Sequence, residues 1–212
     1  MESLTLYHAP SSPHSRRVRI FLAEKQLEIP AVTVDLGKRQ QFSDWFAAIN
    51  PRLQVPVLRV GDESITEVPA IQRYLEEVQP DPALLGHRPL DKARITMWDR
   101  RVDLDFFAPA LEGIRNAIPG LASRALSGPY DYVQIPNLVD RSRKRVENFY
   151  TDLEARLRSS TFIAGEEFSV ADITALVATD LATGGLKIPI PESHAGTRRW
   201  YSCVSSRPSA LA

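Results

Sequence analysis

Residues 79–89, Gln-Pro-Asp-Pro-Ala-Leu-Leu-Gly-His-Arg-Pro, hold three prolines in eleven positions and cannot belong to a regular element. They separate two kinds of sequence. Upstream, short β-rich runs alternate with helical patterns; downstream, no strand pattern is convincing. A chain broken in this way is constrained to a mixed α/β unit followed by an all-helical one. Its 212 residues are enough for two modest domains, each with a core of its own.

Residues 4–7 and 31–35 read as strands, and 16–24 as a helix whose Val18, Ile20, Phe21 and Leu22 lie between charges. Residues 43–49 form a short helix closed by Asn50-Pro51. Residues 57–60, the turn pair Gly61-Asp62 and a second short strand make a hairpin. Residues 69–77 are a helix with Ile71, Tyr74 and Leu75 on one face. The order β-α-β-α-β-β-α predicts a small mixed sheet with helices on both faces, the thioredoxin-like arrangement, over residues 1–78. Residues 79–89 are the linker. Over 90–212, helices at 90–111, 138–157, 169–183 and 197–205 predict a bundle, with 119–136 an irregular connection.

Lys+Arg and Asp+Glu balance at 26 each, so no global field favours nucleic acid or an anionic membrane. The basic cluster at 141–145 is a solvated helix face. Cys203 is the only cysteine, which excludes an internal disulfide and a C-x-x-C pair; in the last helix it reads as a small core hydrophobe. The four histidines, at 8, 14, 87 and 194, lack ligand spacing, so no metal is expected. No apolar run reaches ~18 residues and no secretory pattern opens the chain, so a cytoplasmic protein without membrane attachment is expected. A Gly-rich phosphate loop is absent, which disfavours hydride or phosphate transfer.

Two local patterns carry more information. Pro56 stands directly before a strand, where ordinary trans punctuation and a cis bond are both open; a cis bond would turn the N–H and C=O of Val55 outward, toward an extended peptide ligand. Ser169-Val170-Ala171-Asp172 is a capping box, flanked by Phe168 and Ile173 as a hydrophobic staple, and its role is structural.

Four separated pieces resemble the cytosolic glutathione transferase superfamily. They are Ser11-Ser12-Pro13-His14-Ser15-Arg16-Arg17-Val18-Arg19; Val55-Pro56-Val57-Leu58; Thr66-Glu67 before Ala70-Ile71-Gln72-Arg73-Tyr74-Leu75; and Phe168-Ser169-Val170-Ala171-Asp172. The closing Trp200 to Pro208 stretch is similar to the family's last helix. The likeness is nearest to bacterial and fungal branches with a serine-type first loop, and the first piece is also similar to the zeta-class pattern. The resemblance implies a glutathione-binding thioredoxin-like domain, a helical domain that supplies the acceptor pocket, a homodimer, and glutathione as cosubstrate with no other cofactor. It implies conjugation of glutathione to small hydrophobic electrophiles. A non-catalytic binding protein of the same fold, or a glutathione-dependent isomerase or dehalogenase, are the alternatives.

The chemistry needs a thiolate, because a free thiol has a pKa near ~8.5 and the thiolate is the nucleophile. Ser12 matches the serine that donates to sulfur, with the following helix N-terminus assisting; Ser11 is the fallback and Ser15 a third. A serine there does not support disulfide exchange, which needs a cysteine. Carried over by resemblance, Val55 beside Pro56 pairs with the cysteinyl unit, and Glu67 and Val68 hold the γ-glutamyl end. Lys38, Arg39 and Gln41 lie where family members meet the glycyl carboxylate. Val68 departs from the family's serine and Leu53 from its glycine, and both put glutathione affinity in question. The acceptor pocket is expected around His14 and the start of the bundle, where Phe106 and Phe107 are either an apolar wall or core.

Overall fold

The computed structural model describes residues 3–212, which form two compact units. The first comprises the chain up to Pro82, with Ser127–Tyr130 and Leu211–Ala212; the second holds Ala83–Leu126 and Asp131–Ala210.

The first unit runs β1 (Leu4–His8), α1 (Pro13–Glu24), β2 (Ala31–Thr33), α2 (Asp44–Ile49), β3 (Val57–Val60), β4 (Glu63–Ile65) and α3 (Val68–Val78). The sheet order is β2-β1-β3-β4, with β1 parallel to β2 and the other pairs antiparallel. This is the mixed sheet that the element order predicts. Gly61 takes φ 56° in the two-residue turn between Val60 and Glu63, the positive φ that such a tight hairpin requires. β2 is shorter than its β-rich run. Asp35 gives its N–H to the Gln40 side chain at 2.9 Å, and Val34 turns fully inward. There Val34 joins Ala9, Phe46, Val55 and Val57 in a cluster flanked by Tyr7, Leu36 and Ile49. Strand alternation sends Leu6 and Leu58 to the other face, where both are buried.

Lys25, at the end of α1, is buried. Its ammonium pairs with Glu76 Oε2 of α3 at 2.5 Å and donates to the carbonyls of Pro80 and Pro82 at 3.0 and 2.5 Å. One side chain thus joins two helices to the first half of the linker.

The second unit is helical: α4 (Pro89–Val102), α5 (Ala108–Ala117), α6 (Pro136–Leu157), α7 (Val170–Asp180) and α8 (Ala195–Ser205). Where the sequence predicts a helix over 90–111, α4 and α5 are joined by a π turn, Asp103–Phe107, in which Ala108 N–H reaches back to Asp103 O. Pro109, lacking an N–H, follows directly, and a widened turn absorbs the lost hydrogen bond. Ten consecutive residues of α7, Val170 to Thr179, are buried, so this helix is the axis of the bundle.

Two carboxylates organise the helix starts. Asp172 accepts the Ser169 N–H at 3.0 Å and the Ser169 hydroxyl at 3.1 Å, as the capping box requires. It also accepts the Ile163 N–H at 3.0 Å and the Trp200 indole N–H at 2.8 Å. Glu154 of α6 accepts the Gly196 and Thr197 N–H groups at 3.3 and 2.9 Å, and so caps α8. On α8, Thr197, Trp200 and Val204 face inward and Cys203 is exposed. The expectation of a core cysteine is therefore corrected. Helical spacing gives that face to Trp200 and Val204, and Cys203 falls beside it on the outer surface.

Candidate active site

Strand register gathers the loops. Tyr7 pairs with Val57, His8 with Thr33, and Leu58 with Ile65. The C-terminal ends of β1, β2 and β4 and the N-terminal end of β3 therefore lie along one edge of the sheet. The segments carrying Ser11 and Ser12, Lys38 to Gln41, Val55 and Glu67 all leave from that edge. Ala9 and Val55 meet in one apolar cluster beneath it.

Ser12 is 6% exposed and caps α1, with Pro13 at the first helical position. Its Oγ accepts the Ser15 N–H at 3.2 Å, and its N–H closes the loop onto Ala9 O at 3.1 Å. A hydroxyl has one proton and two lone pairs, so capping leaves the proton available. Among the described residues nothing accepts it. Ser11 is exposed. Ser15 is fully buried, and its Oγ accepts the Ala9 N–H at 3.2 Å, which makes it a support of the loop. His14 follows Pro13 in α1, half-buried.

The Val55–Pro56 peptide is cis. Among the described residues no backbone hydrogen bond engages the Val55 N–H or C=O. The turn before it is built around Asn50, 1% exposed. The Asn50 amide donates to Gln54 O at 2.7 Å, its oxygen accepts the Arg52 N–H at 3.0 Å, and its carbonyl accepts the Leu53 N–H at 2.9 Å. Leu53 sits at φ 56°, a left-handed conformation that costs a β-carbon about 1–2 kcal/mol.

Glu67 is exposed in extended backbone at the start of α3, and its side chain makes no capping bond. The Val68 side chain is buried, so what it presents to the helix start is its N–H alone; Pro69 has none. Lys38 is exposed and lies 3.7 Å from Asp35, while Arg39, at φ 57°, sits over the Phe42 ring. The Gln41 amide oxygen is buried with no hydrogen-bond donor among the described residues.

In the helical unit, Phe106 and Phe107 are buried. Phe106 stacks on Phe149 and meets Tyr150 edge-on, both centroids at 5.1 Å. Of the two readings open for these rings, the structure takes the core one, since both are fully buried and leave no face for a ligand.

Asn50 and Arg19 were not singled out in the sequence. Neither carries a distinctive signal there: Asn50 is an amide directly before Pro51, and Arg19 is one of several arginines in a basic helix. Arg19 donates to Ala9 O at 3.2 Å and Pro10 O at 3.3 Å. Its Nη1 is 3.5 Å from His8 Nδ1. Burial, and then the Arg19 charge, hold the His8 imidazole below its ordinary pKa.

The family model described as glutathione S-transferase, N-terminal domain, matches residues 6–83, and the corresponding C-terminal domain model matches 136–203. The chain is 31% identical to glutathione S-transferase 2 of Saccharomyces cerevisiae, covering 98% of this chain and 88% of that protein. It is 31% identical to maleylacetoacetate isomerase of Rattus norvegicus over 79% of this chain and 73% of that one. The crystal structure of Gtt2 from Saccharomyces cerevisiae superposes with a TM-score of 0.87 at 32% identity, over 98% of both chains.

Proposed function

This chain belongs to the glutathione S-transferase family, and on that premise we propose that it joins the glutathione thiolate to small hydrophobic electrophiles. The observation that carries the reading is Ser12, a nearly buried hydroxyl at a helix N-terminus whose capping bond uses only a lone pair.

In the proposed reaction, the thiol proton leaves to solvent and the sulfur anion is held by the Ser12 O–H and the positive end of α1. The sulfur forms one bond to the electrophilic carbon while that carbon's leaving group departs with its electron pair. The open N–H and C=O of Val55 suit the cysteinyl unit in the manner of an added strand. Glu67 suits the γ-glutamyl amine, and the Val68 N–H its carboxylate. Lys38 and Gln41 suit the glycyl end. His14 borders the acceptor.

Buried Val68 supplies no hydroxyl, and that favours a second reading, a protein of this fold that binds ligands without catalysis. The isomerase relative supports a third, in which glutathione is regenerated. We further propose a homodimer. Leu90, Met97 and Leu104 are exposed at a seven-residue spacing along α4 and into the turn after it, an apolar stripe fit to meet a second copy. The exposed single cysteine and balanced charge suit the cytoplasm.

Calorimetry with glutathione near pH ~7 tests the site. Glu67→Ala should weaken binding at least about tenfold, the loss of one charge-assisted hydrogen bond. Val68→Ser should tighten it. Ser12→Ala should retain binding and lower turnover with an aryl halide on the order of 10²-fold. A parent that binds no glutathione until Val68→Ser is introduced would decide for the non-catalytic reading.

A further inference from the structure

We infer that Arg19 is a positioning residue that holds the loop carrying Ser12; its effect on turnover rests on the thiol-activating role proposed for Ser12. The loop from Ala9 to Ser12 is short and has one internal backbone hydrogen bond, from Ser12 N–H to Ala9 O at 3.1 Å. Helix side chains lean toward the N-terminus, so Arg19, on α1, reaches forward to the loop that precedes its own helix.

There the guanidinium serves backbone oxygens. Nη1 donates to Ala9 O at 3.2 Å. Nη2 donates to Pro10 O at 3.3 Å and to Ala212 O at 3.4 Å. Nη1 also faces His8 Nδ1 at 3.5 Å. Among the described residues no Asp or Glu side chain pairs with Arg19. A half-buried cation spent on carbonyls is an expensive way to hold a surface loop, unless the exact place of that loop matters.

The Ala9 carbonyl is the shared point. It accepts from Arg19 on one lone pair and from the Ser12 N–H on the other, while the Ala9 N–H goes to Ser15 Oγ at 3.2 Å. Turning that peptide would release the Ser12 N–H and move its hydroxyl. Arg19 prevents the turn from outside the site, without touching substrate. Lysine cannot replace it, because three backbone oxygens in different directions need a planar fork of donors.

The test compares the parent with Arg19→Met, Arg19→Lys, Ser12→Ala and the double variant Arg19→Met/Ser12→Ala. Two quantities are read: hydrogen exchange of the Ser12 amide in ligand-free protein, and the pH profile of kcat/KM for glutathione conjugation. In Arg19→Met the Ser12 amide should exchange at least about tenfold faster, while the Leu58 and Ile71 amides keep their protection. The acid limb of the pH profile should move to higher pH, and kcat should fall with little change in KM. Arg19→Lys should lie between, and adding Arg19→Met to Ser12→Ala should change the profile no further.

An unchanged Ser12 amide overturns the positioning role, whatever the activity shows. Faster exchange with an unmoved pH profile, or effects of the two substitutions that multiply, overturns the route through Ser12. If Ser12→Ala itself leaves the profile in place, the thiol-activating reading falls, and the faster exchange then shows only a structural tie.

Discussion

Lys25 shows how much one buried charge can be made to hold. It has an acid and two proline carbonyls as partners, so its ammonium is fully served. Lys25→Met should cost about 3–5 kcal/mol in chemical denaturation, mainly because Glu76 is left charged and half-paired. Glu76→Gln in the Lys25→Met background should recover part of that loss. Full additivity of the two single effects would show that the pair does not interact. Asn50 belongs to the same class. Asn50→Ala removes two side-chain bonds from a buried turn, and should cost about 2–3 kcal/mol and weaken glutathione binding in calorimetry. An affinity equal to the parent's would mean that the turn does not set the place of Val55. Neither residue announces itself in the sequence, where a lysine after a helix and an asparagine before a proline are ordinary surface punctuation.

The helix starts of the second unit rest on carboxylates, and the two respond to pH in opposite senses. For Glu154, burial pushes the pKa up, but the Thr197 and Gly196 N–H groups, Arg158 and the Thr197 hydroxyl outweigh it and hold the carboxyl at about 2, against an ordinary 4.5. Its stabilisation is complete above about pH 4.5 and is lost as pH falls toward about 2. Glu154→Gln should therefore cost about 1–2 kcal/mol more near neutrality than at the acid end, measured as the difference in unfolding free energy across pH. A difference that stays constant with pH would show that the charge plays no part. For Asp172, burial dominates over four hydrogen bonds and pushes the carboxyl up to about 6 from 3.8. Its contribution is complete below about pH 3.8 and is lost as pH rises through about 6. Asp172→Asn still destabilises at every pH, by about 2–4 kcal/mol, because all four neighbours are donors and an amide turns one of its own N–H groups against them. A neutral outcome in thermal unfolding would mean that the network can re-form around the amide.

For the molecule as a whole, two units and a balanced charge leave association to apolar surface. Leu104→Glu together with Met97→Lys should shift the proposed dimer toward monomer in sedimentation equilibrium, without lowering the helicity of the chain. A mass that does not change would place any self-association on another face. Near the pI of about 6.9 there is little net repulsion between copies, so this test belongs well away from that pH.

The order of elements and the family were legible because they depend on local signals: hydrophobic period, β-branched runs, proline and glycine. Ser169 with Asp172 was legible for the same reason, as a three-residue spacing. Ser12 and Glu67 stood out through a motif, and their loops leave one sheet edge because the strand register puts them there. What the sequence could not decide is which face a residue takes once several helices compete for it. Cys203 and Trp200 have similar local claims to the core, and only the packing of α8 put the indole inward on Asp172 and left the thiol in solvent. Phe106 and Phe107 had helical spacing that suits a wall or a core; packing buried both, Phe106 against the rings of Phe149 and Tyr150, more than forty residues on. The tie from Arg19 to the Ser12 loop and that from Asp172 to Trp200 join groups by direction and distance in space. Period and spacing along a chain carry neither.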